Sequence, residues 1–243
     1  MAKGKKAKDK ADKSKTVKRS RMAPAAKSVE NQVRRSVIET ARAMSDLGLT
    51  PGLSGNVSCR FGKGMLITPS GLAYATLKPS DIAFVNHDGS FDEKRPKPSS
   101  EWRFHLSVYA ARPDVGAVVH THSMHATVLA AAHKPIPAFH YMVAVAGGND
   151  IPLVPYAAFG TEELAAYVAA GVSEREACLM ANHGQIAVGP TLTAALDMAA
   201  EVEELAEQYY KVLAIDGVHL LDGEQMVDVL ERFKSYRASA QKG

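Results

Sequence analysis

The stretch VGAVVHTHSMHATVLAAA, residues 115–132, joins a strand to a helix at a pair of histidines. Its first eight residues form an apolar run of strand length, and residues 124–132 favour a helix. Successive side chains of a strand alternate between its two faces, so His120 and His122 point to the same face. We therefore expect two imidazole rings to stand side by side where this strand ends.

Two imidazoles at that spacing are close enough to share one metal ion. A catalytic zinc site needs three protein ligands and an open position, so a third ligand must come from elsewhere in the chain. His183 is the best candidate, because it follows the buried strand ACLMA (177–181) and lies in a turn with Gly184. Many such pairs bind nothing, and a single histidine is more often a hydrogen-bonded core or surface residue.

Outward from this centre, strands and helices alternate along the chain. Val33, Val37, Ala41, Met44 and Leu47 recur at helical spacing and predict one buried helix face. Thr161 can cap a helix predicted over residues 162–171, and Thr191 opens a helix predicted through Ile215. Hairpin signals such as GKG (62–64) argue against a purely parallel sheet. The sequence therefore predicts an α/β fold, in which a central mixed, mainly antiparallel sheet is flanked by helices in a single domain over residues 28–243.

Three polar turns are candidates for anion binding. Ser99 and Ser100 precede a helix predicted over residues 101–112, where backbone N–H groups can hold a phosphate or the serines can simply cap the helix. The pairs Gly55-Asn56 and Ser70-Gly71 can each cradle an anion or form plain turns. On the same helix, His105 follows Glu101 by four residues, a spacing that suits an orienting hydrogen bond or simple packing.

Charge is unevenly distributed in this chain of net charge +3. Residues 1–27 contain nine Lys and two Arg against two Asp, a net of +9, and the remainder is mildly acidic at −6. We interpret residues 1–27 as a disordered, solvated tail rather than a nucleic-acid or membrane ligand. With two cysteines, no secretory signal and no run of apolar residues long enough to span a membrane, the expected location is the cytoplasm.

Several motifs in a fixed order resemble the class II aldolase/adducin family, and most closely its L-fuculose-1-phosphate aldolases. They are GLSGNVS (52–58), LITPSG (66–71), SSEWRFH (99–105), AVVHTHSMHA (117–126), IPAFHYMVAVAGGNDIP (136–152), YAAFGTEEL (156–164), NHGQIAVG (182–189) and FKSYR (233–237). The resemblance covers roughly residues 30–237 and is more specific than any single motif.

This resemblance implies a zinc-dependent lyase. It implies that His120, His122 and His183 hold Zn²⁺, or another divalent metal, with Glu101 as the fourth ligand in the resting site. Glu101 would leave the metal when substrate arrives and become the general acid/base. Tyr141 matches the family's catalytic tyrosine, which acts on the aldehyde side. The implied reaction is retro-aldol cleavage of a deoxyketose 1-phosphate, similar to fuculose 1-phosphate, to dihydroxyacetone phosphate and a short aldehyde.

The same resemblance implies a substrate pocket and an assembly. Phe159 and Tyr236 would line the aldehyde end, across a subunit boundary of a homotetramer with sites between subunits. The residues that match the family's phosphate pocket are Gly55, Asn56, Ser70, Gly71, Ser99 and Ser100.

Two departures bear on the substrate. Leu53 stands where the fuculose enzymes carry a phosphate-contacting threonine, and Asn182 stands where they carry a second histidine beside the metal ligand. An aldolase for 5-deoxyribulose or 5-methylthioribulose 1-phosphate is therefore an alternative. A pentulose-phosphate 4-epimerase with the same zinc histidines is a further one, and a non-enzymatic adducin-like module would lack those histidines.

Overall fold

A computed structural model describes residues 24–215 and 217–240 of the chain. The helices are α1 (Pro24–Asp46), α2 (Trp102–Ala111), α3 (Met124–Ala131), α4 (Glu162–Gly171), α5 (Leu192–Leu213) and α6 (Gly223–Ala240). The strands are β1 (Asn56–Phe61), β2 (Gly64–Ile67), β3 (Ala83–Asn86), β4 (Ala117–Thr121), β5 (Leu153–Val154), β6 (Ala177–Met180) and β7 (Gly184–Gly189). Short 3₁₀ helices, which the sequence patterns did not predict, cover Tyr74–Thr76 and Tyr141–Ala146.

The seven strands form one sheet in the order β3-β2-β1-β4-β7-β6-β5. The pairing of β5 with β6 is parallel, and the other five pairings of the sheet are antiparallel. The predicted mixed, mainly antiparallel sheet flanked by helices is confirmed. The hairpin between β1 and β2 turns at Gly62, as the GKG signal indicated.

Helices cover both faces of the sheet, which is why strand residues are buried on either side. Val119 points into a core shared with α1, α3 and α5, and its neighbour Val118 points into a second core shared with α2 and α4. His120 follows Val118 by two residues, so its ring lies on the face that α2 and α4 cover.

Helix α1 begins at Pro24, inside the stretch predicted as a tail, and residues 1–23 lie outside the described residues. Val37, Ala41 and Met44 are buried, as their spacing predicts. The prediction for Leu47 was wrong, since this side chain is 57% exposed. The helix ends at Asp46 and the chain turns at Gly48, whose φ is +71°, so helical periodicity no longer decides what faces the core.

Helix starts follow the predictions at two positions and differ at a third. The hydroxyls of Thr161 and Thr191 accept hydrogen bonds from Leu164 N and Ala194 N and cap α4 and α5. The predicted cap by Ser99 or Ser100 was wrong: Glu101 occupies the cap position of α2, and no side chain caps that helix. No helix within the described ranges is long and apolar enough to cross a bilayer.

Candidate metal centre

Strand register brings distant parts of the chain to the same end of the central strands of the sheet. In the β1–β4 pairing Asn56 lies opposite His120. The turn from β6 into β7 ends at Gly184, beside Thr121 of β4. A Cβ on Gly184 would lie 2.4 Å from the carbonyl oxygen of Thr121, so only glycine lets the turn approach this closely. This approach brings His183 to the end of the strand that carries His120.

The three predicted histidines meet in one cluster. The ring centroids of His120, His122 and His183 are 4.8–5.0 Å apart, and one ligand nitrogen from each lies within 4.8 Å of the others. His122 is the first residue after Thr121, where β4 ends, so the strand geometry expected for the pair extends just past the assigned strand. The spacing allows all three nitrogens to reach one ion.

The orientation of His120 supports its use as a ligand. Its Nδ1 lies 2.8 Å from the carbonyl oxygen of Gln185, an acceptor, so this nitrogen carries the hydrogen. The lone pair is then on Nε2, which faces Nε2 of His122 at 3.0 Å. Two neighbouring nitrogens facing each other in this way suit a shared cation, and the hydrogen bond to the Gln185 carbonyl fixes the orientation of the His120 ring.

Glu101 completes the cluster with a carboxylate. Its Oε2 lies 3.3 Å from Nε2 of His120, and its Oε1 lies 3.0 Å from Nε2 of His183. Burial raises the pKa of Glu101, but the charge and hydrogen bonds of His120 and His183 outweigh burial and hold the pKa well below its usual range. Three imidazoles and an ionised carboxylate form a donor set that suits a divalent cation such as zinc.

Burial keeps the neighbouring imidazoles uncharged. Burial, followed by the charges of His120 and His183, lowers the pKa of His122 to about 4. Burial likewise lowers the pKa of His105 to about 3, with His120 as the second cause. His122 therefore offers a free lone pair at neutral pH, which is the form that binds metal.

A pocket of about 370 Å³ opens beside this centre, a size that suits a small molecule. Glu101, His122 and His183 form its polar wall. The rest of its lining comes from Leu53, Ser54, Gly55, Asn56, Pro69, Ser70, Gly71, Ser99, Ser100, Tyr156, Ala157, Phe159 and Asn182.

All six residues predicted for phosphate binding line this pocket, and so does Phe159. Two other predicted site residues are not brought together with them. Tyr141 is 51% exposed and stacks on Phe233 outside the pocket lining of the single chain. Tyr236 belongs to α6, and its side chain lies outside the described part of the structure.

Asn56 has more partners than the predicted phosphate role requires. Its Nδ2 donates to Oε2 of Glu101 at 2.8 Å, and its Oδ1 lies 2.5 Å from Nε2 of His105. The other ring nitrogen of His105 contacts Ser58 Oγ at 2.8 Å, which in turn contacts the hydroxyl of Tyr109 at 2.8 Å. The sequence allowed either an orienting hydrogen bond or simple packing for His105. The structure shows the hydrogen bond, but its partner is Asn56 rather than Glu101.

Sequence reasoning missed Ser58, Tyr109 and Tyr156. Ser58 follows Asn56 by two residues on β1, so strand alternation was a usable signal that the two share a face. Tyr109 follows His105 by four residues on α2, which places them on one helix side. Tyr156 is 61% exposed in the pocket wall, and only its place in the motif with Phe159 pointed to it.

Comparison with known proteins assigns this site to a family. The family model described as "Class II Aldolase and Adducin N-terminal domain" matches residues 35–210, well over half of the chain. The chain is 54% identical over 209 residues to a 5-methylthioribulose-1-phosphate/5-deoxyribulose-1-phosphate aldolase of Rhodospirillum rubrum. That match covers 86% of this chain and 94% of the relative.

An L-fuculose phosphate aldolase of Escherichia coli is 49% identical over 207 residues, a match that covers 85% of this chain and 96% of the relative. Among solved structures, an L-fuculose 1-phosphate aldolase superposes with a TM-score of 0.80 at 38% identity. This structural match covers 84% of this chain and 96% of the other. The folds therefore agree across nearly the whole of that aldolase.

Proposed function

The chain belongs to the class II aldolase and adducin family and is a metal-dependent sugar-phosphate aldolase, and we propose that its substrate is a 5-deoxypentulose 1-phosphate. In this proposal, 5-deoxyribulose or 5-methylthioribulose 1-phosphate is cleaved to dihydroxyacetone phosphate and a two-carbon aldehyde that is unsubstituted or carries a methylthio group. The observation that carries the aldolase assignment is the convergence of His120, His122, His183 and Glu101 beside a pocket of a size that suits a small molecule.

We propose zinc as the metal, held by His120, His122 and His183 with Glu101 as a fourth ligand in the resting site. The donor set of three imidazoles and one carboxylate supports zinc, which accepts nitrogen and oxygen ligands in tetrahedral sites. A bound divalent cation supplies Lewis-acid stabilisation of the negative charge that develops when the carbon–carbon bond breaks.

The phosphate end is anchored by residues that do not react. Gly55, Ser70, Gly71, Ser99 and Ser100 line the pocket at tight turns and just before α2. The N–H groups of Ser70 and Ser99 donate to Lys97 O and Thr68 O, so the anchoring is proposed to come from the other N–H groups and the hydroxyls of these turns. Fixing this end orients the reacting carbons against the polar wall, which lowers the entropic part of the barrier.

Two protons must move during cleavage. The hydroxyl that becomes the aldehyde oxygen loses a proton, and the carbon that stays with the phosphate gains one. Glu101 is proposed to serve the carbon, since its carboxylate lies at the histidine cluster. In cleavage it would donate to the carbon a proton that it has first taken up, and in the reverse direction the ionised carboxylate, favoured by its lowered pKa, would remove that proton. Tyr141 is proposed to serve the aldehyde oxygen, which requires it to approach from another copy of the chain.

Two observations support the 5-deoxypentulose substrate over fuculose 1-phosphate. The 54% identity to the Rhodospirillum rubrum aldolase exceeds the 49% identity to the fuculose phosphate aldolase of Escherichia coli. Tyr156 and Phe159 add exposed aromatic surface to the pocket, which suits a methyl or methylthio group better than an extra hydroxyl. Fuculose 1-phosphate remains the second candidate, supported by the structural match.

Release of dihydroxyacetone phosphate from each ketose phosphate tests this proposal. We expect the highest kcat/KM with the 5-deoxypentulose substrates, loss of activity after chelation, and recovery on addition of zinc. Faster cleavage of fuculose 1-phosphate would move the substrate assignment to the second candidate. Interconversion of pentulose phosphates without release of dihydroxyacetone phosphate would instead indicate an epimerase.

A further inference from the structure

We propose that His105 is a positioning residue for Glu101 and acts through the side-chain amide of Asn56. The proposal rests on the catalytic role proposed for Glu101. Its basis is a buried chain of hydrogen bonds that runs from Tyr109 through Ser58, His105 and Asn56 to the carboxylate.

Every side chain in this network is removed from solvent. His105 and Ser58 have no exposed surface, Asn56 is 3% exposed, and Tyr109 and Glu101 are 5% and 8% exposed. A buried polar atom without a hydrogen-bond partner destabilises the folded state by about 1–3 kcal/mol, which favours arrangements in which every member of the network is hydrogen-bonded. The network therefore has one preferred arrangement rather than several equivalent ones.

The carboxylate dictates the direction of every hydrogen bond. Ionised Glu101 accepts only, so the Asn56 atom that faces it at 2.8 Å must be the NH₂ group. The amide oxygen of Asn56 then faces Nε2 of His105, so that nitrogen must carry the hydrogen. The Nδ1 atom of a neutral His105 is left as an acceptor for the hydroxyl of Ser58, whose oxygen accepts from Tyr109.

His105 fixes the orientation of the Asn56 side-chain amide. An asparagine amide can adopt two orientations of nearly the same shape, which exchange the positions of its oxygen and its NH₂ group. Turned that way, Asn56 would aim an oxygen at the carboxylate of Glu101, losing a charge-assisted bond and adding repulsion. The N–H of His105 stabilises only the productive orientation, in which the amide donates to Glu101.

The position of Asn56 makes this orientation matter for function. Asn56 lines the substrate pocket and lies opposite His120 in the sheet, while its amide holds one oxygen of Glu101. Without this hydrogen bond the Glu101 carboxylate would no longer be held in the orientation that proton transfer requires. The predicted effect falls on kcat and on metal affinity more than on the KM for substrate.

Three variants of helix α2 separate positioning from simple stability. His105→Leu removes the donor, His105→Gln retains an N–H near the Nε2 position, and Val108→Ala makes a defect in the core on the same helix. At saturating zinc we expect His105→Leu to lower kcat by about tenfold to a hundredfold with a KM within about threefold of wild type. His105→Gln should recover most of the loss, and Val108→Ala should leave kcat near that of wild type.

Zinc affinity, measured by competition with a chelator, provides a readout that needs no turnover. We expect His105→Leu to weaken zinc binding by about tenfold, as loss of an outer-shell partner does, with recovery in His105→Gln. ¹⁵N NMR of the histidine-labelled wild-type protein should find the His105 hydrogen on Nε2, with the resonance assigned by its absence from His105→Gln.

The proposal would be overturned by a hydrogen on Nδ1 of His105, or by a His105→Leu enzyme whose kcat and zinc affinity match those of Val108→Ala. These results differ from failure of the proposed function. A wild-type protein that cleaves none of the ketose phosphates would overturn the aldolase role of Glu101, while the NMR and zinc measurements would still decide the hydrogen-bond chain.

Discussion

Glu101 lies between the rings of His120 and His183, and its carboxylate also accepts a hydrogen bond from Asn56. This surrounding explains how one buried side chain can serve two proposed roles. In the resting site its charge complements a divalent cation, and once displaced it is a carboxylate within reach of a substrate carbon. The reaction therefore depends on the ionised carboxylate as well as on its place in the cluster.

Replacing Glu101 with Gln tests this dependence. The amide has nearly the same shape but can neither take up a proton nor deliver one to the substrate carbon, so we expect kcat to fall by about 10²–10⁴-fold. Zinc should remain bound, since His120, His122 and His183 are unchanged, and metal analysis of the purified variant checks that point. A Glu101→Gln enzyme with wild-type kcat would rule out the proposed acid/base.

Acid sensitivity is a second prediction at the scale of residues. The pKa values of His105 and His122 are lowered from 6.5 to about 3 and about 4 in the folded protein. Above pH 6.5 both states are neutral and stability is unaffected. Below pH 6.5 these histidines bind protons in the unfolded state but not in the folded state. The free energy of unfolding therefore falls as the pH decreases from 6.5 toward 4.

The lowered pKa of Glu101 acts in the same direction in a lower window, because its stabilising effect is lost as the pH falls below 4.5. Urea unfolding of the metal-free protein between pH 7 and 5 measures the histidine part. His105→Gln should make the slope shallower by up to about 1.4 kcal/mol per pH unit. An unchanged slope would show that His105 titrates alike in both states.

Elements set which side chains can meet. The antiparallel pairings of β4 with β1 and β7 bring Asn56, His120 and the β6–β7 turn to one sheet edge. Helix α2 starts at the same place, with Glu101 at its cap position and Ser99 and Ser100 just before it. The hydroxyl of Ser99 accepts a hydrogen bond from Glu101 N at 3.3 Å, so the hydroxyl of Ser100 is the better candidate for binding phosphate.

Replacing Thr191 and replacing Ser100, each near the start of a helix, should therefore have different effects on stability and on phosphate binding. Thr191→Ala removes the cap of α5 and should cost about 1 kcal/mol of stability. Ser100→Ala should change stability by less than about 0.5 kcal/mol but raise the inhibition constant of inorganic phosphate by about tenfold. Urea midpoints and inhibition assays measure the two effects, and equal destabilisation by both changes would contradict this interpretation.

At the scale of the whole molecule, the site of a single chain lacks one proposed catalytic group. Tyr141 is half exposed and packs on Phe233 of α6, outside the pocket lining. Phe159 is 69% exposed at the pocket mouth. Both observations support the proposed assembly with sites between subunits, in which a neighbouring copy supplies Tyr141 and covers the exposed aromatic surface.

Mixed assemblies test this arrangement directly. Glu101→Gln and Tyr141→Phe should each be poorly active alone. In a random, fourfold-symmetric mixture of the two, about one quarter of the sites would combine an intact Glu101 with an intact Tyr141 from the neighbour. Co-expression should then restore activity to about that fraction of wild type. Activity that stays at the level of the separate variants would place both groups in one chain.

Local pattern was enough to predict much of this protein. Alternation along residues 115–122 predicted the paired histidines, helical spacing predicted the buried face of α1, and threonines before α4 and α5 predicted their caps. The family motifs predicted which residues line the pocket. These features follow from neighbouring residues, because strand and helix periods fix which nearby side chains share a face.

Only the tertiary structure decided which side chains meet across the sheet. Asn56 and Ser58 of β1 contact His105 and Tyr109 of α2, residues 47–51 positions apart, through pairing that no local period encodes. Tertiary structure also decided the start of α2. The local sequence predicts that Ser99 or Ser100 caps this helix, but no side chain caps it. The physical reason is that burial forces polar groups to find partners wherever the packed sheet and helices bring them together.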